Sequence, residues 1–475
     1  METTITTSES VSHGGGDSGG NVFFLPFPGA QGHTNPMLQF GQRLAYHGLR
    51  PTLVVTRYVL SSTDPPGDPF RVAAISDGFD AGGMASCPDY AEYFSRMEAV
   101  GSDTLRELLS SEARAGRPVR VLVYDPHLAW ALPVARAAGV ATAAFFSQPC
   151  AVDIIYGELW AGRMALPATD GRELVARGAL SVELGPEDMP PFVAVPESQP
   201  VFTRTCIRQF EGLEEADDVL VNSFRDFEPK EAEYMELTWR AKMIGPTLPS
   251  FYLDDDRLPS KKSYGFNLFN CDAPCMDWLE KQDNSSVVLV SYGTVSNYDA
   301  TQLEELGNGL CDSGKPFIWV VISNEAHKLS EVLKIKCEKA GLIVSWCPQL
   351  EVLAHRAIDM EYGMEFEVLS GVSDGIQDIM RSSGMVRRIR FMYRKSISKF
   401  ENDPLHLWEV LEGSRKVWKK SPWKVESLWW SPRGTPPSMA GQPKEEESQV
   451  DSTPWWPATP PRKGWESHLG VGFPP

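Results

Sequence analysis

The chain has 475 residues, of which 42% are hydrophobic and 23% are charged, and its formal net charge is −18. This length is enough to bury a large core, so we expect a globular α/β protein of two domains rather than one. The acidic balance argues against a general nucleic-acid-binding protein, because no basic surface dominates to offset repulsion from phosphates. An apolar run of about eighteen residues and a signal peptide are both missing, which predicts a cytosolic protein without an integral membrane segment.

Composition divides the chain into five segments. Residues 1–20 are rich in Ser, Thr and Gly and predict a disordered leader. Residues 21–245 alternate apolar runs with helical stretches, residues 246–270 form a Pro- and charge-rich linker, and residues 271–358 resume the alternation. Residues 359–475 contain eight of the fourteen tryptophans among Pro-rich runs, and past about Ser414 they show neither strand alternation nor a sustained helical pattern. This last segment predicts a disordered tail or, alternatively, the product of a splicing or reading-frame error.

The apolar runs predict buried strands connected by helices. In chain order they are NVFFLPF, RPTLVVT, RVLVYD, ATAAFFS and DDVLVNS in the first unit, and SVVLVSY, PFIWVV and GLIVSW in the second. Short continuous apolar runs separated by helical segments are typical of a parallel sheet covered on both faces. The eight cysteines are scattered, and the closest pair, Cys271 and Cys275, has no matching pair at zinc-site spacing. We expect reduced thiols that mostly pack in the core.

A histidine and an aspartate follow two of the predicted strands. His33 lies in PGAQGHTNP, before a helix expected to begin at Pro36 and to end at Gly48. Asp125 ends RVLVYD, and ligands of parallel sheets bind at the carboxyl ends of strands. The two residues therefore predict a general base with an orienting carboxylate. Alternatively, His33 bonds a backbone carbonyl and Asp125 caps the next helix.

The second unit offers features that suit a nucleotide. Gly293 and Thr294 follow SVVLVSY and precede a predicted helix, so backbone N–H groups there can approach a phosphate, although many α/β turns look similar. Trp346 closes GLIVSW at the edge of the sheet. Its ring either stacks on a nucleobase or packs in the core.

From residue 21 to residue 358 these motifs resemble the plant family 1 UDP-dependent glycosyltransferases. The matching strings are FLPFPGAQGHTNPMLQFGQRLA, VLVYDPHLAWALPVAR, FFSQPCAV, NSFRDFEPKE, IGPTLPS, CMDWLEKQDNSSVVLVSYGT and SWCPQLEVLAHRAI. The resemblance implies a GT-B type fold of two facing Rossmann-like domains, with the acceptor in the first and the UDP-sugar in the second. It also implies a monomeric, metal-independent, inverting enzyme that transfers a hexosyl group, commonly glucosyl, to a hydroxyl or carboxyl of a small lipophilic metabolite. The UDP-sugar is a co-substrate, and no cofactor is implied.

The resemblance also assigns roles to individual residues. His33 corresponds to the catalytic base and Asp125 to its partner. The positions that correspond to UDP-sugar contacts are Gly293, Thr294, Trp346, Cys347 and Gln349. Paired Rossmann-like domains also occur in NAD-dependent oxidoreductases, but this function is less favoured because no GxGxxG follows a strand.

The resemblance stops at Asp359, inside the family's donor signature. The family continues with HCGWNS and a terminal Asp-Gln, which hold the phosphates and the sugar, whereas this chain has Met364 at the histidine position and Arg388 and Ile389 at the Asp-Gln positions. Neither a methionine nor an isoleucine side chain can replace those hydrogen bonds. We therefore expect an incomplete second domain with little or no transferase activity. The alternatives are an inactive acceptor-binding protein and a mispredicted or frameshifted gene product.

Overall fold

The structure is a computed structural model, and the residues it describes are arranged around two parallel sheets, which we call the first and the second unit. They are residues 20–186, 188–253, 266, 274–291, 298–323 and 325–358. Three predictions lie outside the described residues: the leader except for Gly20, the phosphate turn at Gly293 and Thr294, and the tail 359–475. Much of the predicted linker lies outside them as well.

The first sheet has seven parallel strands. They are β1 (Asn21–Leu25), β2 (Arg50–Thr56), β3 (Arg71–Ile75), β4 (Val119–Tyr124), β5 (Ala141–Phe146), β6 (Asp218–Val221) and β7 (Ala241–Met243). Their spatial order is β3-β2-β1-β4-β5-β6-β7, so the order reverses at β1, where β4 joins it on the other side. The five strands predicted for this unit are confirmed, and the two edge strands, β3 and β7, were not predicted. The sequence of β3, RVAAI, has small alanines at its centre, and β7 is three residues long with a lysine at its centre, so both differ from the runs of large apolar residues in the other strands.

The second sheet contains the other three predicted strands. They are β8 (Val288–Val290), β9 (Phe317–Val320) and β10 (Gly341–Val344), all parallel in the order β10-β9-β8. On the far side of β8, Val287 makes an isolated parallel bridge with Ile358. Ile358, the residue after which the family resemblance stops, therefore pairs with the edge of this sheet beside β8.

Helices connect the strands, as parallel pairing requires. In the first unit they are α1 (Gln31–Tyr46), α2 (Arg57–Ser62), α3 (Tyr90–Arg114), α4 (Ala131–Ala137), α5 (Cys150–Trp160), α6 (Arg172–Ala176), α7 (Pro191–Ala194), α8 (Pro200–Ile207) and α9 (Pro229–Trp239). In the second they are α10 (Cys275–Leu279), α11 (Ala300–Asp312), α12 (Glu331–Cys337) and α13 (Gln349–Leu353). Each sheet carries two clusters of buried apolar side chains, which confirms the predicted doubly covered α/β architecture. Among the described helices none is both long and apolar enough to cross a membrane.

Helix α1 begins earlier than the sequence predicted. Pro36 was expected at the first helical position, but it lies inside the helix, and His33 is in the first turn rather than in the preceding loop. The backbone N–H groups of His33 and Thr34 both donate to the Ala30 carbonyl oxygen, at 3.2 and 3.1 Å, and so start the helix before the proline. The predicted end is confirmed, because Gly48 follows the helix with a φ of 85°.

Helix α11 is the helix that the sequence predicted after SVVLVSY. Asp299 and Gln302 form a reciprocal capping box at its beginning, which satisfies two backbone donors of the first turn. Leu303 and Leu310 are buried on one face of the helix. That face packs against the second sheet together with Trp319 of β9.

Candidate functional site

The central strands of the first sheet bring His33 and Asp125 together. Strands β1 and β4 are parallel neighbours, and the Asp125 backbone N–H extends their pairing by donating to the Leu25 carbonyl oxygen at 2.9 Å. Asp125 directly follows β4, and α1 starts shortly after β1. Both side chains therefore reach the carboxyl edge of the sheet, as predicted.

Asp125 both contacts His33 and caps the turn that follows it, two roles that the sequence left as alternatives. Its Oδ2 atom lies 2.5 Å from Nδ1 of His33. Its Oδ1 atom accepts the backbone N–H of His127 at 3.0 Å and so caps the 3₁₀ turn Pro126–Leu128. The carboxylate is held by its own turn while it orients the histidine ring.

His127 is a third member of this site that the sequence reasoning missed. Its Nδ1 atom lies 2.8 Å from Oδ1 of Asp125, and its ring meets that of His33 edge to face with the centroids 5.2 Å apart. The signal was present in the order Asp-Pro-His, since a 3₁₀ turn returns the third residue to the first. Two imidazoles and a carboxylate are also a donor set that divalent metals accept, and their ligand atoms lie within 4.8 Å of one another. In this structure the carboxylate engages both Nδ1 atoms.

The electrostatics of the pair make His33 a stronger base than a free imidazole. Burial lowers the pKa of His33, but the charge of Asp125 and its hydrogen bond outweigh burial and raise the pKa above its usual 6.5. Burial acts to raise the pKa of Asp125, yet the charges and hydrogen bonds of His33 and His127 hold that pKa well below its ordinary range. The carboxylate therefore stays ionised and stabilises the imidazolium that forms when His33 takes a proton.

Half-buried aromatic rings extend from His33. The Phe27 ring lies 5.7 Å from the imidazole and 6.0 Å from the ring of Phe94. The Phe202 ring follows at 5.8 Å from Phe94, and Phe192 stacks on it at 5.8 Å with an angle of 14°. These four phenylalanines, which we call the aromatic wall, place apolar surface beside the candidate base.

Asp153 is a buried acid near the pair. It lies on α5 with no exposed surface, and neither of its carboxyl oxygens has a hydrogen-bond partner within the described part of the chain. Burial, followed by the charges of Glu228 and Asp125, raises its pKa well above the ordinary value. Asp153 therefore holds its proton to higher pH than a free carboxyl group does, because an unpaired charge there would be strongly unfavourable.

In the second sheet, the carboxyl ends of the two outer strands are linked by a hydrogen bond. Gln349, the first residue of α13, donates from Nε2 to Oγ of Ser291 at 3.1 Å. Ser291 directly follows β8, and α13 follows β10, so the bond spans the end of β9. The sequence reasoning singled out Gln349 but missed Ser291.

The other two described candidates of this unit lie next to Gln349. Trp346 comes two residues after β10, and 7% of its surface is exposed. Cys347 is fully buried in an apolar cluster with Cys275 and Val352, which leaves its backbone as the group that could meet a ligand. Gly293 and Thr294 are not among the residues that the structure describes.

Comparisons with known proteins find extensive similarity. The chain is 79% identical over 363 residues to the UDP-glucosyltransferase UGT13248 of Hordeum vulgare subsp. vulgare, which covers 75% of this chain and 76% of the relative. The crystal structure of Os79 from O. sativa in complex with UDP aligns with a TM-score of 0.76 at 58% identity and covers 83% of this chain and 99% of that one. Another Os79 structure contains UDP and deoxynivalenol-3-glucoside, and it aligns with a TM-score of 0.64 at 69% identity over 71% of this chain and 75% of that one. No model of a known protein family matches the chain.

Proposed function

The chain belongs to the family of plant UDP-dependent glycosyltransferases, enzymes with the GT-B type of fold, and we propose that His33 is its general base. The observation that carries the proposal is the 2.5 Å contact between Nδ1 of His33 and Oδ2 of Asp125 at the carboxyl edge of the sheet. Because Nδ1 is engaged by the carboxylate, Nε2 is the nitrogen left to receive a proton.

The proposed reaction is a single inverting displacement. Nε2 of His33 takes the proton of an acceptor hydroxyl or carboxyl, and the acceptor oxygen attacks the anomeric carbon of the UDP-sugar. The bond between that carbon and the UDP oxygen breaks, so an α-linked donor gives a β-glycoside. Asp125 stabilises the imidazolium through its fixed negative charge. No step of this scheme calls for a metal.

We propose a small lipophilic acceptor. The aromatic wall beside His33 supports this, because aromatic side chains bind apolar rings with large contact area and few polar demands. The Os79 structure with deoxynivalenol-3-glucoside makes deoxynivalenol the first acceptor to test. By the name of the barley relative, glucose is the first sugar to test.

On the donor side we propose that Trp346 stacks on the uracil and Gln349 holds the ribose, with the backbone of Cys347 and the turn at Gly293 and Thr294 nearby. The Gln349 to Ser291 bond supports this assignment, because it fixes the amide at the carboxyl edge of the second sheet. The family's phosphate and sugar contacts would come after Ile358, where the sequence has no HCGWNS. Losing three charge-assisted contacts, each of about 1.5 to 3 kcal/mol, lowers donor affinity by several orders of magnitude. We therefore propose slow turnover for this chain.

A second candidate function is acceptor binding without transfer. The intact His33, Asp125 and aromatic wall favour it, together with the change of sequence after Ile358. Calorimetry with deoxynivalenol and with UDP separates the two functions. Acceptor binding without UDP binding supports the binding protein, whereas binding of both supports the transferase. The monomeric state, the cytosolic location and the domain boundaries stay predictions.

A further inference from the structure

Two cysteine thiols meet on the helical layer of the second sheet, away from the site described above. Cys311 lies near the end of α11, and Cys337 is the last residue of α12. Both are free thiols, and their Sγ atoms are 3.4 Å apart. We propose that Cys311 and Cys337 form a reversible intramolecular disulfide, a redox modification site whose oxidant is a small-molecule disulfide.

Close helix packing brings the two sulfur atoms together. Gly307 of α11 faces α12, and a Cβ atom placed there would lie 2.8 Å from side-chain atoms of Leu333 and Trp319. The glycine therefore permits an approach that a larger residue would prevent. The Cys337 thiol also points at this spot, with its Sγ atom 3.8 Å from the Gly307 carbonyl oxygen.

A lysine joins the same two helices beside the cysteines. Nζ of Lys336 donates to Oδ1 of Asn308 at 2.8 Å and to Oδ1 of Asp312 at 2.9 Å. Lys336 is next to Cys337 in the chain, and Asp312 is next to Cys311. The two thiols therefore lie on packed helices that are also linked by the hydrogen bonds of the Lys336 ammonium group. An S–S bond is about 2.05 Å long, so the sulfurs need to close a gap of about 1.4 Å, which lies within the range of side-chain rotation.

The exposure of the two thiols sets the order of reaction. Cys311 is half-buried, whereas Cys337 has no exposed surface. Burial and the neighbouring Cys311 raise the pKa of Cys337 to about 12, so it remains a protonated thiol until a partner sulfur is activated next to it. Cys311 is therefore the entry point for a small oxidant.

The chemistry is thiol–disulfide exchange in two steps. The Cys311 thiolate attacks one sulfur of the small disulfide, breaks its S–S bond and releases one small thiol, which leaves a mixed disulfide. Cys337 then loses its proton and attacks Sγ of Cys311, which forms the protein S–S bond and releases the second small thiol. The two protein thiols are oxidised by two electrons, and the small disulfide is reduced to two thiols. The inference does not depend on transferase activity.

The test exposes the full-length reduced protein to oxidised glutathione, alkylates the remaining thiols and digests the protein without reductant. Mass spectrometry should find a cross-linked pair of peptides containing Cys311 and Cys337, together with the loss of two alkylated thiols, reversed by dithiothreitol. The oxidised protein should also melt at a higher temperature than the reduced protein, because the cross-link closes a loop between two helices.

Two variants make the test specific. Cys311→Ser removes the half-buried thiol and should abolish both the cross-link and the rise in melting temperature. Cys87→Ser, in the first unit, serves as the matched control and should leave both unchanged, since the Cys87 thiol donates to the Asp89 carbonyl oxygen instead. A glutathione adduct that persists on Cys311, or a cross-link that forms only in denaturant, would overturn the proposal. So would an unreacted pair under conditions that oxidise other cysteines of the chain.

Discussion

The imidazole of His33 and the carboxylate of Asp125 form a close pair, with Nδ1 2.5 Å from Oδ2, at the meeting point of β1 and β4. The Asp125 side chain is 2% exposed and the His33 side chain 25% exposed, so the carboxylate is buried while the imidazole is accessible from solvent. The second carboxyl oxygen is occupied by His127. The two histidines lower the pKa of Asp125 and so keep a negative charge beside His33.

The pKa of His33 should lie above 6.5 in the folded protein, because the attraction of Asp125 outweighs burial. In Asp125→Asn the negative charge is gone while burial remains, so the pKa of His33 should fall below its ordinary value. Titration of the histidine ring signals by NMR measures both values without any need for turnover. His127→Ala is the matched control, since it leaves the Asp125 charge in place, and the pKa of His33 should stay raised. An unchanged His33 pKa in Asp125→Asn would contradict this account of the pair.

The proposed role of His33 as general base can be tested in a chimera that carries the barley relative's segment in place of residues 359–475. Loss of a positioned general base lowers kcat by about 10²- to 10⁴-fold, so His33→Ala should lose that much. His127→Ala should lose less, because His33 still faces an ionised Asp125. Steady-state kinetics with deoxynivalenol as acceptor gives both values. Equal losses of kcat in the two variants would contradict the proposal that His33, rather than His127 or both histidines together, is the general base.

Asp153 should make stability depend on pH. Its pKa is raised in the folded protein, so the folded state keeps a proton that the unfolded chain releases. The free energy of unfolding should therefore fall as pH rises above the unfolded pKa, by at most about 1.4 kcal/mol per pH unit. Asparagine resembles the protonated carboxyl group, so Asp153→Asn should remove this fall in the free energy of unfolding. The variant should be more stable than the wild type at about pH 7 and equally stable near about pH 4. Urea unfolding across this range measures the difference.

The control for Asp153 is an exposed carboxylate. The Asp103 side chain is 77% exposed, and Asp103→Asn should leave the pH dependence of unfolding close to that of the wild type. A parallel pH dependence in wild type and Asp153→Asn would mean that Asp153 is ionised in the folded state.

Two glycines of α11 should respond in opposite directions to substitution by alanine. A Cβ at Gly307 meets Leu333 and Trp319 at 2.8 Å, so Gly307→Ala should destabilise the protein by about 1 to 3 kcal/mol through overpacking. Gly309 has nothing within 4 Å of an added Cβ, so Gly309→Ala should stabilise it by about 0.5 to 1 kcal/mol through helix propensity. Thermal unfolding of the two variants distinguishes them, and a Gly307→Ala protein as stable as Gly309→Ala would contradict the packing of α11 on α12.

The sequence predicted the meeting of His33 and Asp125 because both follow strands, and parallel strands end at one edge. It did not predict the start of α1. Pro36 indicated the first position of the helix, but the helix begins earlier because the backbone N–H groups of His33 and Thr34 donate to the Ala30 carbonyl oxygen. His127 was missed because its role depends on a 3₁₀ turn that folds it back onto Asp125. Asp153 was missed because nearly every residue of α5 is buried, so the helix has no exposed polar face from which a buried acid could be distinguished.

We propose that the acceptor side of this chain keeps its general base, whereas the donor side lacks the family's contacts to phosphate and sugar after Ile358. The test is to measure transfer from radiolabelled UDP-glucose to deoxynivalenol, for this chain beside the chimera and with EDTA present. We predict that the chimera transfers glucose with EDTA present and that this chain is about a thousandfold or more slower, given the lost contacts. Equal turnover of the two proteins would mean that the changed sequence after Ile358 does not limit transfer.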